Sequence, residues 1–232
     1  MPPTDDTTAT DEELDAAAAA VEDGELVVYP TETVYGLGAD ATNAAAVERA
    51  FEAKDRPREK PLSMAVPDVD AALRYVSVTP FEERFMREFL PGPVTVVVER
   101  GDELPDELTA GGDRVGVRVP DHAVALELLR RAAPTPVTAT SANVSGEPSV
   151  THPDRLDEEL RSAVGAVVDI GELRPPNRET QSRDIGELAA DENEDERLPS
   201  TVVDPGRGVV HRRGAMADEV ESWLAAHEDE RE

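Results

Sequence analysis

Two lysines, Lys54 and Lys60, stand six residues apart in the run KDRPREKP, with Arg56 and Arg58 between them. They are the only lysines among the chain's 23 lysines and arginines. A lysine ammonium is a compact, mobile point charge suited to phosphate oxygens, whereas a guanidinium is a planar fork that grips an oxyanion in two places. Such a pair, kept in a proline-bounded loop, points to a polyphosphate or similar polyanion. The plain alternative is a solvated basic loop after a helix, where cations are favoured by the helix C-terminus. The lysine usage tips the balance toward ligand binding.

Upstream lies a hydroxyl-rich turn, Thr31, Thr33 and Tyr35, followed by Gly36 and Gly38, glycines that would let the backbone come close to a ligand. Downstream, Thr140 to Gly146 (TSANVSG) follows a short β run and presents Ser141, Asn143 and Ser145 with almost no bulk. A glycine-ended turn of this kind can cradle an anion or nucleotide. It can equally be a turn whose Ser and Asn satisfy their own backbone, which is the commoner case. Arg118, on the polar side of a valine-alternating strand, could hold a carboxylate or phosphate or merely pair with one of many acids; Arg212 and Arg213 carry the same ambiguity. The four histidines have no metal-ligand spacing and there is no cysteine, which argues against a structural zinc site. No nucleophile elbow, Walker loop or dinucleotide fingerprint occurs. The chemistry left is positioning plus charge neutralisation, as suits phosphoryl or nucleotidyl transfer.

The elements that must carry these residues follow from capping and periodicity. Thr10 to Glu13 is a capping box opening an alanine-rich helix that stops at Gly24, and a strand over 25–29 follows. A helix runs from Asn43 to about Lys54, a strand from Leu62 to Val66, and a short helix from the Asp68 cap to about Tyr75. Thr79 to Glu82 is a second capping box with Pro80 at the first helical position, and Phe81, Phe85 and Phe89 share a core-facing stripe. Val94 to Val98 reads as a buried strand, and residues 100–113 as a polar loop. Val115, Val117 and Val119 alternate with Arg114, Gly116 and Arg118, the period of a strand with one distinct polar face. Asp121 is expected to cap a helix to about Arg131, Pro136 to Ala139 to form a strand, Pro153 to begin a helix and Gly165 to Ile170 to form a strand. Residues 171–199 are polar and acidic and read as a mobile insertion. Strands over 201–203 and 209–211 and a helix over 215–227 with Trp223 close the chain. The mixture predicts one α/β domain with a mixed, twisted sheet covered by helices.

Length fits one large domain or two small ones. With 51 acidic residues against 23 basic ones the formal charge is −28, spread along the chain rather than gathered in one tail. Charge of this density and the scarcity of lysine suggest a protein of a salty cytoplasm. The N-terminus has no basic-then-apolar leader, and no apolar stretch reaches the roughly 18 residues of a membrane span, so no membrane partner is expected.

Taken together, YPTETVYGLGADATN, FEAKDRPREKPL, PGPVTVVV, RVGVRVPDH, TATSANVSGEPS, STVVD and RRGA resemble, in order and spacing from about residue 10 to 216, the L-threonylcarbamoyladenylate synthases of the YrdC-like fold. The resemblance implies a single YrdC-like α/β domain over 10–216, with a sheet flanked by helices around a concave substrate cleft, and a C-terminal helix and tail over 217–232. It implies a nucleotidyltransferase that joins L-threonine, bicarbonate and ATP into L-threonylcarbamoyladenylate and pyrophosphate, for a modified adenosine in tRNA. By the same resemblance Lys54, Arg56, Ser141 and Asn143 are catalytic. Arg56, Lys60, Ser141, Asn143, Ser149 and Arg212 would bind ATP, and Thr31, Thr33, Tyr35, Arg118 and Ser200 would bind threonine. Magnesium would arrive with ATP, with no metal site of the protein's own. A partner complex would hold the tRNA, and this chain would bind little nucleic acid itself. The chain resembles the short form of the family, and Ala65 stands near where some longer members carry a histidine. Two rival readings share the fold: an RNA-binding or ribosome-associated protein, disfavoured by the charge, and a carbamoyl-transferring relative, disfavoured by the absence of neighbouring acylphosphatase-like or zinc-finger regions.

Overall fold

A computed structural model describes residues 8–173 and 198–231. Most of the acidic stretch expected to be a mobile insertion lies outside them. The described residues build one mixed sheet of ten strands, interspersed with eight α-helices. The strands are β1 (Leu26–Pro30), β2 (Tyr35–Gly38), β3 (Ser63–Ala65), β4 (Val76–Ser77), β5 (Val94–Arg100), β6 (Arg114–Arg118), β7 (Val137–Ser141), β8 (Val164–Val167), β9 (Thr201–Asp204) and β10 (Val209–Arg212). Across the sheet the order is β10-β9-β5-β6-β3-β7-β2-β1-β8, with β4 beside β5. The helices are α1 (Asp11–Glu22), α2 (Ala44–Ala53), α3 (Val69–Ala72), α4 (Pro80–Phe89), α5 (Asp106–Thr109), α6 (Ala123–Arg131), α7 (Glu158–Ala163) and α8 (Ala217–Ala226).

The predicted caps are in place. Thr10 and Thr79 each close a capping box, Asn43 caps α2 and Asp68 caps α3. Three local expectations change. The cap of α6 is His122, whose Nδ1 accepts the Ala125 N–H; Asp121 lies one residue outside the helix. Pro153 opens only a 3₁₀ turn, and the helix proper starts after Asp157. The loop over 100–113 contains the one-turn helix α5.

Alternation sends two sets of side chains to the two faces of the sheet. On one face Leu26, Val28, Leu37, Met64, Val94, Val96, Val98, Val115 and Val117 form the main core with Phe51 of α2, the phenylalanines of α4, and Val220 and Leu224 of α8. Trp223 closes this core edge-on against Phe85 and Phe89. On the other face α1 and α6 cover the β8–β1 end, and Val27, Tyr29 and Val168 there join Val137 of β7 and Ala65 of β3 in a second apolar cluster.

The rest of that second face carries Ser63, Thr95, Gly116, Arg118 and Ser141. All but Thr95 are only half-buried although they sit on central strands. A central strand with small and polar residues on one side is a sheet face kept open. Registers align these positions: Ser63 lies opposite Gly116, and Ala65 opposite Arg118.

Candidate active site

Several of the predicted residues lie around this open face, in a manner the sequence did not show, and others do not. Lys54 caps the C-terminus of α2 and is fully buried. Its Nζ donates to the carbonyl oxygens of Ser141 and, at 2.5 Å, Asn143, while its own carbonyl accepts the Ser145 N–H at 2.8 Å. The expected free phosphate-binding ammonium is therefore enclosed: three bonds tie the end of α2 to the turn after β7. Burial, with the nearby Arg56 charge second, pulls the Lys54 pKa down from 10.5 to about 8. In the same turn the Asn143 amide nitrogen donates to the carbonyls of Val144 and Glu147, while Asn143 Oδ1 and Ser145 Oγ are buried without a hydrogen bond. Ser149, a few residues on, is exposed.

Three arginines line up beyond this turn. Arg56 donates from Nε to the Lys60 carbonyl and from Nη2 to the Pro61 carbonyl, both at 2.9 Å, so its loop is folded around its own guanidinium. Lys60 itself is exposed. Arg212, on β10, donates from Nε and Nη2 to the Ser200 carbonyl and from Nη2 to Ser200 Oγ at 2.9 Å; that hydroxyl in turn bonds Thr95 Oγ1 at 3.0 Å. Burial first, and then the neighbouring guanidinium, lowers the pKa of each: Arg212 acts on Arg56, and Arg118 on Arg212. Most of the described arginines sit within ion-pair distance of a carboxylate. Arg56 and Arg212 have no such partner among the described residues, in a chain of formal charge −28. Unneutralised, part-buried cations set side by side form a site poised for an anion carrying more than one charge.

Arg118 does have a partner: its Nη2 donates to Oε1 of Glu32, and both side chains are mostly buried. Glu32 lies between the two predicted threonines. Thr31 Oγ1 donates to the Val34 carbonyl at 2.6 Å and lies 3.2 Å from Thr33 Oγ1, which fixes the bend that delivers Glu32 to Arg118. Among the described residues no group of three or more His, Cys, Asp or Glu could hold a metal ion.

Two expectations about the first motif are corrected. Tyr35 belongs to β2 and points into the main core; its hydroxyl donates to the Gly171 carbonyl at 2.8 Å and accepts the Ile170 N–H at 3.1 Å. With the ring buried and both hydrogen-bonding roles of the hydroxyl used, Tyr35 holds the strand end after β8 and does not line the open face. Gly36 and Gly38 serve packing rather than approach to a ligand. A Cβ on Gly36 would lie 3.2 Å from the Tyr29 ring, and one on Gly38 would lie 2.4 Å from Val137 Cγ1 and 3.0 Å from that ring. The two glycines make the slot into which Tyr29 lies, at the boundary between the covered and open halves of the sheet.

The sequence reading missed Glu32, Thr95, Ser63 and Tyr29. The available signals were the single hydroxyl inside the valine run 94–98 and the single acid between two threonines. Ala65, where a histidine contact was thought to be missing, is buried with the α6 cluster and faces no solvent.

Comparison with known proteins identifies the family. Residues 19–182 match the Sua5/YciO/YrdC family model, described as telomere recombination. The threonylcarbamoyl-AMP synthase of Bacillus subtilis is 38% identical over 170 residues, 72% of this chain and 49% of that protein. That of Pyrococcus abyssi is 40% identical over 159 residues, 68% of this chain and 46% of that protein. The chain thus spans about half the length of these curated relatives. The crystal structure of Pyrococcus abyssi Sua5 complexed with L-threonine superposes with a TM-score of 0.74 at 34% identity, covering 90% of this chain and 56% of that one. With the family model spanning well over half the sequence and the fold shared, this chain belongs to the Sua5/YciO/YrdC family.

Proposed function

We propose that the chain synthesises L-threonylcarbamoyladenylate from L-threonine, bicarbonate and ATP, releasing pyrophosphate, as a nucleotidyltransferase of tRNA modification. The observation that carries this reading is the set of Arg56, Arg212 and Arg118 beside the open sheet face, where Arg118 pairs with Glu32 and the other two lack a carboxylate partner among the described residues. A triphosphate supplies the missing negative charge. The Ser141–Asn143 turn, tied to α2 by Lys54, lies beside these arginines and offers backbone and amide groups to a nucleotide. The hydroxyls of Ser200 and Thr95 and the Thr31–Thr33 bend frame the space next to Arg118, where a small polar substrate with a carboxylate fits.

In this arrangement Arg56, Lys60 and Arg212 take the phosphates, Ser141, Asn143 and Ser149 the nucleoside side, and Arg118, Ser200, Thr31 and Thr33 the amino acid. The chain's own groups bind, orient and neutralise. Magnesium travels with the triphosphate and supplies further charge neutralisation there. The adenylate passes to a separate transfer complex that holds the tRNA, because a chain this acidic offers little to a phosphate backbone. No helix among the described residues is long and apolar enough to cross a membrane. The test is pyrophosphate release from ATP in molar potassium chloride, with threonine or bicarbonate omitted in turn. Release dependent on both supports the reading, and release indifferent to them refutes it.

A further inference from the structure

The reaction contains a proton transfer that none of the residues assigned so far can perform. The α-nitrogen of an amino acid is an ammonium at neutral pH and must lose a proton before its lone pair can form a C–N bond. Among the described groups that frame the open face, Glu32 is a carboxylate paired with one of the arginines. It is delivered there by the Thr31 bend, between the two threonines and against Arg118. Its Oε1 is bonded to Arg118; Oε2 is buried and, among the described residues, has no hydrogen-bond donor from another residue. A carboxylate kept only as a structural partner would be expected to have both oxygens satisfied, since each buried orphan costs about 1–3 kcal/mol. An oxygen left short of a donor beside a cleft is matched by a ligand that brings one.

The geometry points to Glu32 as the residue that receives the α-ammonium of the amino-acid substrate and accepts its proton, a role that rests on the function proposed above. An amino-acid zwitterion is complementary to the Arg118–Glu32 pair. Its carboxylate takes the guanidinium, its ammonium takes the carboxylate, and one internal ion pair is exchanged for two external ones. One proton then passes from the ammonium to Glu32. The free amine attacks the carbon of bicarbonate, a C–N bond forms, and the former bicarbonate hydroxyl leaves as water with the second amine proton, giving the carbamate. A carbamate oxygen attacks the α-phosphorus and pyrophosphate departs, while Glu32 returns its proton to solvent.

The environment suits a proton acceptor. Burial raises the Glu32 pKa above the ordinary carboxylate value, Arg118 opposes that rise, and Asp121 at the start of α6 adds to it. Arg212 of β10 and Tyr29 of β1 also lie close enough to feel the pair, and burial holds the Tyr29 phenol neutral, with a pKa of about 12. A raised pKa brings the carboxylate closer to the ammonium it must deprotonate.

The test separates carbamate formation from nucleotidyl transfer by running the enzyme in both directions. In the forward direction, with threonine, bicarbonate and ATP, Glu32→Gln is expected to lose about a hundredfold or more in rate, the usual contribution of a positioned base. The acidic limb of the wild-type kcat/KM profile for threonine should disappear with it. In reverse, ATP formation from supplied threonylcarbamoyladenylate and pyrophosphate needs no amine deprotonation, so the loss there should be at least tenfold smaller than the forward loss. Glu32→Asp, which restores a carboxylate, should recover forward rate and the acidic limb. Equal losses of Glu32→Gln in both directions, or an unchanged forward rate, overturn the assignment while leaving the proposed function standing. A wild-type protein inactive in both directions overturns the function and the assignment together.

Discussion

Lys54→Met separates a phosphate ligand from a residue that positions the turn after β7. Methionine approximates the length of the lysine stem and removes the ammonium. In the native protein that ammonium satisfies two carbonyls, those of Ser141 and Asn143, inside a buried pocket. Orphaning both costs about 2–6 kcal/mol at roughly 1–3 kcal/mol each. Against this stands the cost of burying the charge. A pKa of about 8 in place of 10.5 corresponds to about 3 kcal/mol in the native state. The two terms largely offset, so global stability should fall by no more than about 3 kcal/mol. Activity should fall much further, about a hundredfold, because a turn displaced by an ångström spoils alignment at the α-phosphate.

The sign of the linkage gives a second readout. A lysine whose folded pKa lies below its unfolded one leaves the unfolded chain holding more protons between about pH 8 and 10.5. The wild type should therefore gain stability across that window from this group, and Lys54→Met should abolish that slope. Calorimetric titration of AMP and of pyrophosphate into wild type and variant decides between the roles. A positioning residue predicts weakened AMP binding with pyrophosphate binding nearly intact. Weakened pyrophosphate binding with AMP unchanged would mean that Lys54 meets phosphate directly, and the enclosed geometry would then not be that of the working enzyme.

Three further outcomes follow. Arg56→Lys keeps a positive charge but loses the fork that grips the Lys60 and Pro61 carbonyls, and kcat/KM for ATP should drop roughly ten- to a hundredfold; a near-normal value would make the loop ordinary surface. Tyr35→Phe removes a donor to Gly171 and an acceptor for Ile170, costing about 1–3 kcal/mol of stability by thermal unfolding with the KM for threonine unchanged; a large rise in that KM would return Tyr35 to the substrate pocket. Labelled tRNA titrated in molar potassium chloride should show no saturable micromolar binding, because backbone affinity falls with salt as roughly 0.7–0.9 powers per neutralised phosphate and, on the function proposed, Arg56 and Arg212 would be occupied by ATP.

The architecture was legible because its signals are local. Capping boxes at Thr10 and Thr79, the Asn43 and Asp68 caps and the valine alternation of β6 depend on neighbours in sequence, and each falls in place. The site was legible as a set of residues and illegible as a geometry, because its contacts span large sequence separations. Lys54 meets carbonyls near residue 141, Arg212 meets Ser200 across a strand pair, and Tyr35 holds the chain at Gly171. Hydroxyl-rich turns and glycines look the same from sequence whether they serve a ligand or a neighbouring ring, so Gly36 and Gly38 were assigned to the wrong partner.

The same reasoning shows why a lysine survives at position 54 in a chain that otherwise avoids lysine. Two carbonyls converge there in a buried pocket at the end of α2. A guanidinium is planar and bulkier, and it suits an open loop such as the one around Arg56 better than an enclosed pocket. A single rotatable ammonium reaches both oxygens in less space. The scarcity of lysine that first marked this loop as a phosphate site therefore reflects, at Lys54, the geometry of an enclosed carbonyl pair, and the duty of meeting the polyanion shifts to Arg56, Arg212 and the exposed Lys60.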